Sequence, residues 1–218
     1  MKKLTVCLIF SIASMLCISY ALNPANAAEN ISVSFTGKIS HDSFQRGQSA
    51  ACSISALPRT LEEFKALQAR AATEPQGAVV VLLAAMDIYK NDEALGKQCL
   101  ELSMYKLYPS ILGLMKRKLR DPESNGYSQH FIHMAYFRGA TPENHYTPSK
   151  PYTVEVTVNS GRPYQKLTSA NANVIYLRIA TKGADTPRPI EVIKPSKSQY
   201  FVVNNASSII SQVKFPVD

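Results

Sequence analysis

Two histidines three residues apart are the first candidates for chemistry in this chain. His130 and His133 would lie on one side of a helix, a spacing that suits a metal ion or a general base. His41 and His145 could add metal ligands only if the fold brings them close. Apolar neighbours on both sides of His133 favour a packed segment instead, so we predict no metal site and no cofactor.

Two polar loops that contain several prolines are the second set of candidates. In residues 139–148, Asn144 can form an Asx turn next to Tyr146, and the prolines hold the residues before them extended. In residues 183–189, Asp185 and Arg188 lie among a glycine and two prolines, so that this stretch cannot be helical.

These loops have a functional and a structural interpretation. In the functional one, Arg138 and Arg188 offer guanidinium groups to a carboxylate or phosphate, and Asn144, Tyr146 and Asp185 lie beside them. In the structural one, Asp185 caps its turn and pairs with Arg188, which locks a connection between strands. Turn chemistry alone explains these residue types and favours the structural interpretation, but all five residues remain binding candidates.

The sequence contains none of the common catalytic signatures. It has no G-x-S-x-G, H-E-x-x-H, P-loop, G-x-G-x-x-G or C-x-x-C pattern. We therefore expect a non-catalytic binding or structural domain. The alternative is a hydrolase of envelope or host polymers, with His130 or His133 as base and a carboxylate supplied by the fold.

The first 27 residues have the pattern of a secretory signal. Lys2 and Lys3 precede an apolar stretch over residues 4–22, and small residues follow Pro24 at the spacing of a cleavage site. We predict cleavage after Ala27 and a periplasmic or extracellular protein with no membrane span after cleavage. An uncleaved membrane anchor is the alternative, since the apolar stretch is long for a signal.

Cleavage removes two lysines and no acidic residue, so the formal net charge falls from +8 to +6. The basic residues cluster in 116–118 and at Arg120, near the end of a predicted helix, where cations also favour the helix dipole. This cluster is a solvated helix end or a patch for an anionic envelope polymer or lipid headgroup. The predicted partner is an anionic envelope component or another exported protein, and not nucleic acid.

Cleavage also leaves only Cys52 and Cys99 of the four cysteines. Two cysteines exported into an oxidising space predict a possible disulfide between them. The alternative is a pair of buried thiols.

The hydrophobic pattern divides the chain into a helical first half and a strand-rich second half. A capping box at Thr60 predicts a helix to about Ala72, and further helices are predicted over 78–89, 91–105 and 109–119. Residues 152–158 alternate as a half-buried strand does, and β-rich runs follow at 174–180, 190–194, 200–203 and 209–215.

These patterns predict an α+β fold, with the helical first half packed on one face of a mostly antiparallel sheet formed by the second half. Alternating residues near Ile31 predict a strand that joins the edge of the sheet. We divide the chain into a signal peptide (1–27), an N-terminal strand and loop (28–56) and one domain (57–218).

The two proline-containing loops also carry a resemblance. The stretches Ala135–Asn144, Tyr146–Pro148 and Gly183–Ile190 are similar to those of a family of bacterial domains of unknown function, and the likeness extends from about Leu57 to Pro216. The resemblance brings no established activity, so it implies no catalytic residue.

Overall fold

The computed structural model describes residues 31–40, 45–121, 128–159 and 165–217. The predicted signal peptide, residues 1–27, and His41 lie outside the described residues.

The helices of the described chain lie in its first half, as predicted. They are α1 (Leu61–Ala71), α2 (Pro75–Asn91), α3 (Glu93–Ser103) and α4 (Pro109–Leu119). The capping box that begins α1 is present: Glu63 N donates to Thr60 Oγ1 at 3.1 Å, and Thr60 N donates to Glu63 Oε2 at 3.3 Å. Two amides at the helix start are thereby satisfied.

Seven strands within the described residues form one antiparallel sheet. They are β1 (Val33–Thr36), β2 (Ser49–Ile54), β3 (Tyr152–Val158), β4 (Gln165–Leu167), β5 (Ala172–Ile179), β6 (Arg188–Ile193) and β7 (Val202–Asn205). The strand order is β1-β2-β3-β5-β6-β7, and β4 pairs with β5. Helices gathered in the first half and a sheet formed mainly by the second half confirm the α+β prediction.

Three strand assignments differ from those predicted. The short strand β4, which pairs with β5, was not predicted. Strand β2 was not predicted, and it lies between the edge strand β1 and β3. Residues 209–215 were predicted as a strand but form turns and irregular backbone instead. Their backbone groups bond to the loops around them, as described below, and not to a neighbouring strand.

Helix α2 packs between the sheet and the other helices. Residues 75–89 of this helix are all buried, and it contacts β2, β3, β6 and β7 as well as α1, α3 and α4. Helix α3 approaches it closely at Gly96, where an added Cβ would lie 2.0 Å from Cα of Tyr89. No helix among the described residues is long and apolar enough to cross a membrane.

The two faces of the sheet have different surroundings. On β3, Val154, Val156 and Val158 belong to the core that includes α2. Glu155 and Thr157 alternate with them and point to the opposite side. We call this opposite side the open face. Glu155 lies there between Ala51 on β2 and Ala180, the residue after β5.

The predicted disulfide between Cys52 and Cys99 is wrong, because both cysteines are free and buried. Cys52 lies on β2 and Cys99 on α3, and α2 packs against both of these elements. Each thiol is therefore held in the core on its own element. Burial raises the pKa of each thiol to about 12.

Candidate binding surface

The two loops singled out in the sequence meet on the C-terminal segment. The Tyr146 hydroxyl donates to the carbonyl of Lys214 at 2.6 Å, and Lys214 N donates to the carbonyl of Gly183 at 2.7 Å. Farther along, Val217 N donates to the carbonyl of Pro142 at 3.2 Å. The C-terminal segment therefore joins the first loop to the second through its backbone.

Close packing at Gly183 fixes this junction. An added Cβ at Gly183 would lie 2.9 Å from the Tyr146 hydroxyl oxygen and 2.9 Å from Cβ of Val213. Tyr146 is only 2% exposed, and its ring stacks on Phe131 with centroids 5.0 Å apart. In this position Tyr146 supports the loop from inside and does not line an open site.

Asn144 satisfies the backbone of its own loop. Its Oδ1 accepts hydrogen bonds from Thr141 N at 2.9 Å and Thr147 N at 3.2 Å. Its Nδ2 donates to the carbonyls of Gly139 at 2.7 Å and Thr147 at 3.0 Å. Both amide atoms are thus engaged, so that the Asn144 side chain has little capacity left for a ligand.

Asp185 and Arg188 do not pair with each other. Asp185 Oδ1 lies 2.7 Å from Lys214 Nζ, and this hydrogen bond and charge lower the pKa of the exposed carboxyl. Arg188 Nη2 donates to the carbonyl of Gln212 at 2.9 Å. The structural interpretation was wrong about the partner, but both side chains still hold a connection, since each binds the C-terminal segment.

Arg138 differs from the other four binding candidates because it lies on the open face. Its Nε donates to Glu155 Oε1 at 2.8 Å, and its Nη2 contacts the same oxygen. The two side chains are 60% and 49% exposed. Exposed ion pairs contribute only about 0–1 kcal/mol to stability, so this pair can exchange partners at low cost.

Two pockets flank the Arg138–Glu155 pair. They have volumes of about 230 and 270 Å3, and Arg138, Glu155 and Ala180 line both of them. Ala51 lies opposite Glu155 on β2, and Ala180, directly after β5, donates its N–H to the Glu155 carbonyl. These small side chains leave space on either side of the ion pair.

The rest of the open face near the pair is polar. Hydroxyl groups meet across β2 and β3, with Ser49 Oγ 2.9 Å from Thr157 Oγ1 and Ser53 Oγ 2.8 Å from Thr153 Oγ1. On β5, Arg178 lies opposite Thr157 and is exposed. Lys182 lines the first pocket and is also exposed. Within the described residues, neither of these cations makes an ion pair.

The two histidines occupy different environments. His133 is fully buried, and its Nε2 lies 3.0 Å from Asp87 Oδ1. Asp87 Oδ2 in turn accepts from Arg59 Nη1 at 2.9 Å. His130 is exposed, so the pair does not present two imidazoles to one site. Among the described residues, no three His, Cys, Asp or Glu side chains lie where they could hold a metal ion.

The burial of His133 and Asp87 and the contact between them determine their protonation states. Burial lowers the pKa of His133, although the hydrogen bond to Asp87 opposes the effect, and the ring is neutral at pH 7. Burial disfavours the charged form of Asp87, but the hydrogen bond with His133 and the charge of Arg59 keep the pKa of that carboxyl below its ordinary value. His133 therefore donates from Nε2, and its buried Nδ1 has no partner in the described chain.

The basic cluster at the end of α4 is tied to the other helices. Arg120 Nη1 donates to the carbonyls of Tyr89 at 2.8 Å and Lys90 at 2.9 Å, near the end of α2. Lys116 Nζ lies 3.1 Å from Glu93 Oε1. These contacts favour the helix-end interpretation of the cluster over a binding patch.

The open face as a whole was not predicted from the sequence. The alternation of Thr153, Glu155 and Thr157 was visible as a polar side of β3. The contribution of β2 was not visible, because small residues such as Ala50 and Ala51 give a weak strand signal. Pairing of β2 with β3 places the serines and Ala51 of β2 beside the threonines and Glu155 of β3.

Replacing Arg188 by alanine should lower the free energy of unfolding by about 1 kcal/mol, because the guanidinium bond to the Gln212 carbonyl is lost. Arg178→Ala is the matched control and should change stability by less than about 0.5 kcal/mol, since Arg178 is exposed without an ion pair among the described residues. Urea unfolding of both variants measures the difference. Equal stability of R188A and the parent protein would contradict the anchoring role.

The buried His133 should make the protein less stable in mild acid. The unfolded chain takes up a proton near pH 6.5 while folded His133 stays neutral, so stability falls as the pH drops through this value. One proton contributes at most about 1.4 kcal/mol per pH unit. Urea unfolding at pH 7.5 and 5.5 should therefore show a smaller acid loss for His133→Gln than for the parent protein.

The exposed His130 provides the control for this experiment, because its pKa is also lowered by burial and by Lys90. In His130→Gln, the free energy of unfolding should still fall between pH 7.5 and 5.5 by the amount that is due to His133. If His133→Gln and the parent lose the same stability between the two pH values, His133 is not the responsible group.

Comparison with known proteins gives one match. The family described as "Domain of unknown function (DUF6935)" matches residues 56–217, a span that contains both loops on which the resemblance rests. No curated protein and no solved structure matches the chain. The chain belongs to this family of domains of unknown function, DUF6935.

Proposed function

We propose that this protein is an exported, non-catalytic domain that binds an anionic ligand of the cell envelope or extracellular space on its open face. The observation that carries the proposal is the pair of pockets around Arg138 and Glu155, with Arg178 and Lys182 exposed on the same region. Concave pockets with a few well-placed polar groups are the usual form of a ligand site.

The charge of this surface sets the sign of the ligand. Glu155 neutralises Arg138, which leaves Arg178 and Lys182 as an excess of positive charge beside the pockets. The formal charge that remains after the proposed cleavage is also positive, at +6. An approaching anion is therefore attracted at long range and can also compete with Glu155 for Arg138.

The proposed location rests on the N-terminal sequence. Lys2 and Lys3, the apolar stretch 4–22 and the small residues before Ala28 form a complete signal pattern. We propose that the chain is cleaved after Ala27 and acts in the periplasm or outside the cell. An anionic envelope component would then be within its reach.

The contact between His133 and Asp87 is the observation that favours the alternative, a hydrolase. A carboxylate that orients a histidine is a common arrangement of a catalytic base. His133 has 0% exposure, however, and lines neither of the pockets on the open face. A substrate cannot reach the ring without displacing the core, so binding is the better supported function.

Export predicts a defined N-terminus. When the full chain is expressed in a bacterial host, the protein recovered outside the cytoplasm should begin at Ala28 by intact mass and N-terminal sequencing. Ala27→Lys should block this processing, because the peptidase pocket accepts small residues, whereas Ala28→Ser serves as the conservative control. Recovery of the uncut chain in the membrane fraction would instead support the anchor.

Binding to the open face predicts that the affinity for an anionic polymer depends on its cations. Inorganic polyphosphate, titrated calorimetrically into the purified protein, should bind more weakly to Arg178→Ala and Lys182→Ala by about two- to fivefold each. Raising the salt concentration should weaken binding of the parent protein through screening. Lys97→Ala on α3 removes the same charge from a distant surface and should have little effect.

Glu155→Gln is the most discriminating variant in this experiment. The substitution removes a negative charge and releases Arg138, so the affinity for polyphosphate should rise about two- to fivefold. A variant that merely folds poorly would lose affinity. The proposed site is wrong if Glu155→Gln leaves the affinity unchanged, or if Lys97→Ala weakens binding as much as Arg178→Ala does.

A further inference from the structure

A cleft of different chemistry lies at the other end of the sheet, where β6 pairs with β7. The pairing is interrupted by a β-bulge between Glu191 and Val192. Two pockets of about 390 and 330 Å3 meet here, and both are lined by Glu191 and Asn205. We call these adjoining pockets the bulge cleft. Bulges commonly change the direction of a side chain near a binding site.

An exposed aromatic ring borders this cleft. Tyr108, the residue before α4, lines the smaller pocket and is 53% exposed. Ser110 lines the same pocket from the first turn of α4. Burying a tyrosine ring against an apolar surface is favourable, and the ring retains a hydroxyl that can donate and accept hydrogen bonds. The smaller pocket therefore combines a flat apolar surface with hydroxyl groups.

Side chains from β6 and β7 supply hydrogen-bonding groups in a fixed position. Asn204 Nδ2 donates to Glu191 Oε2 at 2.8 Å, which orients the carboxylate. Asn205 Oδ1 accepts from Ser207 N at 3.0 Å, which orients the amide. Asn205 Nδ2 has no hydrogen-bond acceptor within the described chain, so it remains available to donate to a ligand.

We propose that the bulge cleft binds a neutral oligosaccharide. Sugar hydroxyls donate to a carboxylate and accept from an amide, and the C–H face of a sugar ring packs on an exposed tyrosine. Glu191, Asn205 and Tyr108 supply these three groups. Arg178 and Glu191 both line the larger pocket, so their charges balance and the cleft suits a neutral ligand, which differs in class from the one proposed for the open face.

The proposal is tested by titrating the purified protein with cellotetraose, maltotetraose and N-acetylchitotetraose. At least one of these probes should bind saturably by calorimetry. Tyr108→Ala should weaken that binding about fivefold, because ring stacking is lost. Glu191→Gln keeps the size of the side chain and an acceptor for Asn204 but loses the charge, and should weaken binding about tenfold.

Matched controls separate this site from general effects. Phe35→Ala removes an exposed aromatic ring on β1, and Glu101→Gln removes an exposed carboxylate on α3, and both should bind the probe as the parent does. Thermal melting of each variant confirms that it is folded. The proposal is overturned if no tetrasaccharide binds, if Tyr108→Ala and Glu191→Gln bind as the parent does, or if the controls lose binding equally.

Saccharide binding in the bulge cleft does not depend on whether an anionic ligand binds the open face. Arg178 lines the larger pocket of the bulge cleft as well, so it is left unchanged in the saccharide experiment. Tyr108→Ala should leave polyphosphate binding as it is. Loss of polyphosphate binding in Tyr108→Ala would show that the two sites are one, and would overturn the assignment of a separate saccharide cleft.

Discussion

Helix α2 is mainly apolar and buried on all sides, and the remainder of the fold is arranged to enclose it. Its residues 75–89 are buried, and leaving their apolar surface in water would cost roughly 25 cal/mol for every Å2 exposed. The sheet covers one side of the helix, while α1, α3 and α4 contact its other sides. Because these helices are all needed around α2, none of them is left to cover the opposite side of the sheet. The open face on β2, β3 and the end of β5 is a consequence of this arrangement, whereas Val174 and Tyr176 earlier on β5 are buried in a small second cluster. A surface without a structural partner is where a ligand can bind.

The parts of the fold that depend on local pattern were predictable from sequence. Thr60 and Glu63 begin α1 by a local exchange of hydrogen bonds, and the continuous apolar run of α2 can only be a buried helix. Strand β2 depends instead on β3, which follows it by about a hundred residues and supplies its pairing register. Residues 209–215 show the reverse case: they are rich in strand-forming residues, but their backbone groups bond to Gln129, Tyr136 and Tyr146. Local propensity was overridden in both cases by partners distant in sequence.

The candidate site was predictable only in part, because the polar residues of a loop can bond either to a ligand or to the chain itself. Asn144 and Arg188 were singled out correctly as side chains with strong hydrogen-bonding capacity, but sequence does not show whether that capacity is directed at a ligand or at the chain itself. In the fold, Asn144 bonds to its own loop and Arg188 to the C-terminal segment. Arg138 belongs to the same motif, and its side chain extends over the sheet instead. In this chain the two loops therefore mainly hold the C-terminal segment, and the surface that they leave exposed is what a ligand can reach.

Free thiols and export are compatible in this fold. A disulfide requires a thiolate that can attack and a partner within about 7 Å between Cα atoms. Burial raises the pKa of both Cys52 and Cys99 to about 12, so neither is ionised appreciably at neutral pH. Both side chains also have 0% exposure, which keeps oxidants and other thiols away. Small exported domains that cannot build a sufficient core depend on disulfides for stability. Here the buried core around α2 supplies that stability. The two cysteines therefore behave as small apolar residues, and their number carries no information about the compartment.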